Sequence, residues 1–194
     1  ADDRVHGRLP ERGLARFASQ PTTVAGGPAH GRRFLITWLV LSAILTPIVA
    51  IYLGPTIPPG NGSVEATGQD VGDVAVDVGS VTTTGDSSNG IVASNIYGNT
   101  TVNVGDVATA GDDSAGVDAP SVLGGVSVTS TGSISTKGTG SIGVLAYAQA
   151  GDTDVTVGDV STTGDNSPAV EAIGYNASVT VNGDVSTAGY SSPG

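Results

Sequence analysis

The chain has 194 residues with no cysteine, no methionine, one tryptophan and two phenylalanines. Without cysteine there is no disulfide, no thiolate metal site and no cysteine nucleophile. The scarcity of phenylalanine and methionine removes side chains that a compact globule uses to fill its centre. A stack of narrow coils needs only small and β-branched residues, because each coil packs on the next. Positive charge is also scarce beyond the N-terminal part. Residues 1–60 hold six arginines against Asp2, Asp3 and Glu11, a balance of +3, whereas residues 61–194 hold Lys137 against fifteen acids, a balance of -14. Such an acidic segment repels phosphate backbones, which argues against nucleic acid as its partner.

A repeat fills the last two thirds of the chain. The phrase Val/Ile-x-Thr-x-Gly recurs at Val81–Gly85, Val107–Gly111, Ile134–Gly138, Val160–Gly164 and Val185–Gly189, its glycines spaced by 26, 27, 26 and 25 residues. Ala93, Ala119, Ala146 and Ala172 each follow one of the first four glycines by eight residues. Ile91, Val117, Val144 and Val170 stand two residues before those alanines. A fixed period in this range marks stacked repeats. The expected fold is all-β, a parallel β-helix (solenoid) of about 26-residue coils, preceded by one hydrophobic transmembrane or signal helix.

Each coil reads as three short strands and three turns. The first strand carries Val76/Val78, Val102/Val104, Val155/Val157 and Val179/Val181; the second is the Val-x-Thr phrase; the third is aliphatic-x-Ala. Their period of two turns one set of side chains inward. Glycines 79, 105, 158 and 183 are expected to open a turn between the first two strands. Gly-Asp-x-Ser, as at Gly85–Ser88, suits the turn between the second and third. The third connection varies in length and is where function can be grafted. Val81, Val107, Ile134, Val160 and Val185 are expected to form one internal ladder. Thr83, Thr109, Thr136, Thr162 and Thr187 are expected to form another and to share hydroxyl hydrogen bonds. In the coil of Ile134, either Thr129 and Thr131 replace the first valine pair or three residues are inserted after Val128. The last coil stops at Pro193-Gly194 without a polar cap, as expected of a truncated piece of a longer solenoid.

The front of the chain divides differently. Residues 1–33 read as a disordered basic arm. Phe34–Leu53 is an uncharged apolar run of 20 residues, enough to cross a bilayer as a helix. Arg32 and Arg33 abut its start, which places the N-terminus in the cytosol and the repeats across the membrane. A retained anchor is favoured over a cleaved signal peptide, whose hydrophobic region is usually shorter. Residues 54–70 read as a Pro/Gly linker and 71–194 as the repeats.

The repeats, clearest in Gly158–Ser167, resemble the β-helical passengers of bacterial autotransporters and filamentous adhesins over about residues 71–194. The resemblance implies secretion to the cell surface or outer membrane, and adhesion to a host or neighbouring-cell ligand, protein or glycan. Residues 30–69, from His30-Gly31-Arg32-Arg33-Phe34 to Gly68-Gln69, are similar to the first membrane helix of subunit II of cytochrome c oxidase. That family's second helix, cupredoxin domain and copper-binding cluster have no counterpart here, so no copper role carries over. The alternative it implies is a fragment of a membrane-anchored respiratory chain fused to repeats.

No catalytic constellation stands out, and no cofactor is implied. His6 and His30 lie in the basic arm without acidic partners at suggestive spacing. A β-helical carbohydrate-active enzyme is a second alternative, because a glycosidase needs only two placed carboxylates. Asp118 and Glu171, on the outward side of the third strand but two coils apart, are the candidates. Asp86, Asp112 and Asp165 recur at one turn and are candidate Ca²⁺ ligands, although turn formation alone accounts for them. The outward residues around the threonine strand, such as Thr82, Ala108, Ser135 and Lys137, are too mixed for a regular ice-binding array. The expected function is therefore structural and binding rather than enzymatic.

Overall fold

A computed structural model describes residues 49–53, 57–60 and 63–194, the first two stretches as backbone only. Every regular element among them is a strand. The basic arm and residues 34–48 of the apolar run lie outside the described residues. Among the described residues, no helix is long and apolar enough to cross a membrane.

The strands are β1 (Val49–Leu53), β2 (Ile57–Gly60), β3 (Val64–Gly68), β4 (Val74–Thr83), β5 (Ile91–Asn95), β6 (Thr100–Thr109), β7 (Val117–Ser121) and β8 (Val126–Ser130). They continue as β9 (Ile134–Thr136), β10 (Val144–Ala148), β11 (Thr153–Val157), β12 (Val160–Thr162), β13 (Val170–Ile173), β14 (Ala177–Val181) and β15 (Val185–Thr187). All pairings are parallel and join one coil to the next, giving a β-solenoid. One sheet collects the first and second strands of the coils, and a five-stranded sheet collects the third in the order β13-β10-β7-β5-β3.

The stack reaches further toward the N-terminus than the repeat phrase does. Val49–Leu53 forms a strand paired with β4, Val49 beside Val74 and Leu53 beside Val78, rather than the end of a helix. The expected linker at 54–70 contains two strands, β2 beside the second half of β4 and β3 beside β5. The reason is visible in β3: Val64 and Ala66 repeat the aliphatic-x-Ala pattern and are buried beneath Ile91 and Ala93.

Two other expectations change. Gly79 and Gly105 do not open turns; they lie within continuous ten-residue strands, where the Ser80–Asp106 pairing carries the ladder across the junction. In the coil of Ile134, the first strand is neither Thr129/Thr131 nor followed by a three-residue insertion. Val126 and Val128 align with Thr100 and Val102, and Ser130 takes the place of Val104. One extra residue then separates Ser130 from Ile134, compared with Val104 from Val107. Ser130 remains buried because its hydroxyl donates to the carbonyl of Gly105 at 3.0 Å.

The core is made of columns. Val76, Val102, Val128 and Val155 stack on one another, as do Val81, Val107, Ile134 and Val160, facing Ile91, Val117 and Val144 from the other sheet. Identical β-branched side chains at the strand spacing of about 4.8 Å pack without gaps.

The threonine column is in register, but its hydroxyls do not bond to one another. Thr83, Thr109, Thr136 and Thr162 each donate within their own coil, to the carbonyls of Ser88, Ser114, Ser141 and Ser167 at 2.6–2.8 Å. The interaction between coils is made by the serines. Ser114 Oγ accepts from the amide of Ser88, and Ser141 Oγ from that of Ser114, each at 3.0 Å. Those hydroxyls donate in turn to the carbonyls of Gly85 and Gly111. A buried polar column thus satisfies itself, and no buried side-chain N or O among the described residues lacks a partner.

Candidate functional site

The three corners are built to stack. At the second corner the third residue of the turn has positive φ in each of five coils: Ser87, Asp113, Gly140, Asn166 and Ser191. The left-handed turn points the preceding aspartate along the stacking direction. Asp86 Oδ1 accepts from the amide of Asp112 at 3.0 Å, Asp112 Oδ1 from that of Thr139 at 2.8 Å, and Asp165 Oδ1 from that of Tyr190 at 2.8 Å. Asp106 and Asp159 do the same where the first strand passes into the second, and Asp73 and Asn99 at the third corner.

This arrangement assigns the three candidate Ca²⁺ ligands a structural task. Each spends a carboxylate oxygen on a backbone N–H, and Thr139 interrupts their column. No group of three or more His, Cys, Asp or Glu residues that could hold a metal occurs among the described residues. Asp112→Ala is expected to cost roughly 1 kcal/mol in urea unfolding through the lost cap, and millimolar CaCl₂ is expected to leave both proteins unchanged. A calcium-dependent rise in stability that Asp112→Ala removes would restore the metal role.

The two sheets present different outward faces. The larger sheet exposes small and polar residues, with Thr82, Ala108, Ser135 and Ser161 in one column and Asp77, Asn103 and Thr129 in another. Lys137 is exposed at the end of the threonine strand. The five-stranded sheet carries larger, more apolar groups. Its first outward column is Glu65, Val92, Asp118, Leu145 and Glu171, with acids alternating with aliphatic residues. A second outward column holds Thr67 and Ser94, joined through their hydroxyls at 3.3 Å, then Pro120, Tyr147 and Ile173. The adjoining third corner exposes Ile96 and Tyr97, then Val122 and Leu123 one coil later.

Val92 and Leu145 escape a search for repeated phrases because they occupy the variable position of aliphatic-x-Ala. Reading that position as a column rather than along the chain exposes the pattern. The third connection, expected to carry grafted features, is where the exposed Ile-Tyr and Val-Leu pairs lie.

Asp118 and Glu171 lie on this face, with Leu145 between them. Two strand spacings separate them by about 9.6 Å, at the outer limit for a water-using carboxylate pair, and the aliphatic Leu145 stands between them. Burial raises the Asp118 carboxyl above its ordinary 3.8. Val92 and Leu145 on either side supply that apolar cover. The folded chain therefore holds this proton more tightly than the unfolded chain. The associated stability is complete below about pH 3.8 and is lost as pH rises through the folded value. Asp118→Asn is expected to unfold at a higher temperature than the parent at pH 7, with the advantage gone near pH 3. An equal difference at both pH values would reject this account.

His6 and His30 lie outside the described residues, as do residues 34–48 of the expected membrane segment. Comparison of the chain with protein-family models, with curated proteins and with solved structures finds no match.

Proposed function

We propose that the chain is an exported, non-enzymatic binding module, a β-solenoid passenger of an autotransporter-like adhesin. It holds a flat face toward a ligand on a host or neighbouring cell, either protein or glycan. In this reading the N-terminus remains in the cytosol and the repeats, whose columns β1 already joins at Val49–Leu53, act at the cell surface.

The observation that carries the reading is the outward face of the five-stranded sheet. It places half-buried Val92, Pro120 and Leu145 beside exposed Tyr147 on a ladder whose opposite side is locked into the core. Rigid sheets lose little entropy on binding, and apolar groups that remain exposed in a folded chain mark interaction surfaces. The glycosidase alternative is weakened by Leu145 between its two carboxylates. The composite respiratory-chain alternative is weakened by the register of β1 and β3, which continue the repeat columns in a segment assigned to that resemblance.

The test is adhesion by the full chain. Beads coated with it are expected to bind cultured epithelial or bacterial cells, and soluble chain is expected to compete. Beads that bind none of these cells above an uncoated control would overturn the reading.

A further inference from the structure

We propose that the outward face of the five-stranded sheet docks an extended, proline-rich cationic polypeptide in the polyproline II conformation, with Lys or Arg at every third position. The proposal rests on the binding-module reading and names the chemistry of its partner.

The apolar surface of the face and its adjoining third corner comes first. Ile96 is 39% exposed, Tyr97 52%, Val122 38%, Leu123 55% and Tyr147 37%. All five lie in coils covered by neighbours on both sides, so their exposure is a property of the face and not of an end of the stack. Tyr147 shares the sheet face with Leu145 and Pro120, and the other four line the third corner beside it. Tyrosine at a wet apolar surface can take both an apolar contact and a hydrogen bond. Tyrosine-lined surfaces are what proline-rich segments use, because polyproline II is already ordered before binding.

Charge complementarity then selects the partner. The face has no basic residue in the columns described above, and Lys137 is the single cation in the whole of residues 61–194. Glu65, Asp118 and Glu171 recur at every second strand of one column. Their spacing is about 9.6 Å, from two strand separations. A polyproline II chain advances about 9.3 Å in three residues and brings residues i, i+3 and i+6 to one side. A β-strand repeats its faces at about 6.7 Å and drifts out of phase with this column. The aliphatic Val92 and Leu145 between the acids then lie beneath the intervening prolines, and a guanidinium above a tyrosine ring gains cation–π attraction.

The experiment is titration calorimetry of the full chain with an acetylated, amidated (Arg-Pro-Pro)₄ peptide. Three competitors are (Glu-Pro-Pro)₄, an equally charged peptide with arginines at every second position, and a neutral cello-oligosaccharide. Binding of (Arg-Pro-Pro)₄ is expected, at least tenfold tighter than the out-of-phase peptide. Tyr147→Ala with Tyr97→Ala is expected to weaken it about tenfold. Asp118→Asn with Glu171→Gln is expected to weaken it similarly and to flatten its salt dependence, without loss of fold because all four side chains face outward. Equal binding of both basic peptides, unchanged binding by the tyrosine pair, or displacement by the oligosaccharide would overturn the proposal. If coated beads adhere to cells but the peptide does not bind, this inference fails and the adhesin reading survives. Peptide binding without adhesion would reverse that outcome.

Discussion

Ser141→Ala is expected to destabilise the solenoid by roughly 2–5 kcal/mol, although it removes a single oxygen. Ser141 is fully buried. Its Oγ accepts the amide of Ser114 at 3.0 Å and donates to the carbonyl of Gly111 at 3.0 Å. Alanine leaves that N–H and that C=O without their partner in a dry interior, and each orphaned group costs about 1–3 kcal/mol. Ser135→Ala, on the outward side of β9, is the control and is expected within about 0.5 kcal/mol of the parent. Thr136→Val removes the donor to the Ser141 carbonyl while keeping the volume, and couples to Ser141 through the same turn. A double-mutant cycle in urea is expected to yield a coupling of about 1 kcal/mol. Unfolding of Ser141→Ala at the urea concentration of the parent would mean that the serine column contributes nothing.

The serine column also marks the limit of what the sequence reveals. Val/Ile-x-Thr-x-Gly fixed the period and the inward columns, and the register follows it from Val81 to Val185. It placed the threonines in one column, and that placement is correct. It could not say where their hydroxyls point. Each hydroxyl donates to the carbonyl five residues on, so the bond closes within the coil. The first coil was hidden for another reason. Val64-Glu65-Ala66 fits the third-strand pattern, but the apolar run before it and Pro58-Pro59 read as anchor and linker. Periodicity alone puts Asp118 and Glu171 on the outward face, two coils apart, as the register does. The apolar surroundings that give Asp118 its raised pKa come from Val92 and Leu145 in other coils, which no local window contains.

Gly138 and Gly140 lie two residues apart in one corner and are glycines for different reasons, so their substitutions should separate widely. A Cβ on Gly138 would collide with the carbonyl of Gly111 in the coil beneath. Gly164 stands in the same relation to Gly138, so the constraint is repeated along the column. Backbone cannot swing aside as a side chain can. Gly138→Ala must lift one coil off another, straining the bonds from the Lys137 amide to Thr109 O and from the Thr139 amide to Asp112 Oδ1. The expected loss is about 3 kcal/mol or more, at the upper end for overpacking. Because coils contact only their neighbours, hydrogen exchange should accelerate first in β6 and β9, the strands on either side of the clash. Gly140 is constrained by conformation alone, with φ +69° and the flexible Asp113 carboxylate nearest to its missing side chain. Asn166 holds the equivalent position in the following coil at φ 52°. Gly140→Asn is therefore expected to cost under about 1 kcal/mol, and Gly140→Val more, because a β-branched residue tolerates the left-handed region poorly. Should Gly138→Ala prove as mild as Gly140→Asn, the coils would be packed more loosely than their carbonyl contacts require. The rigid ladder on which the tyrosine and carboxylate columns depend would then lose its foundation.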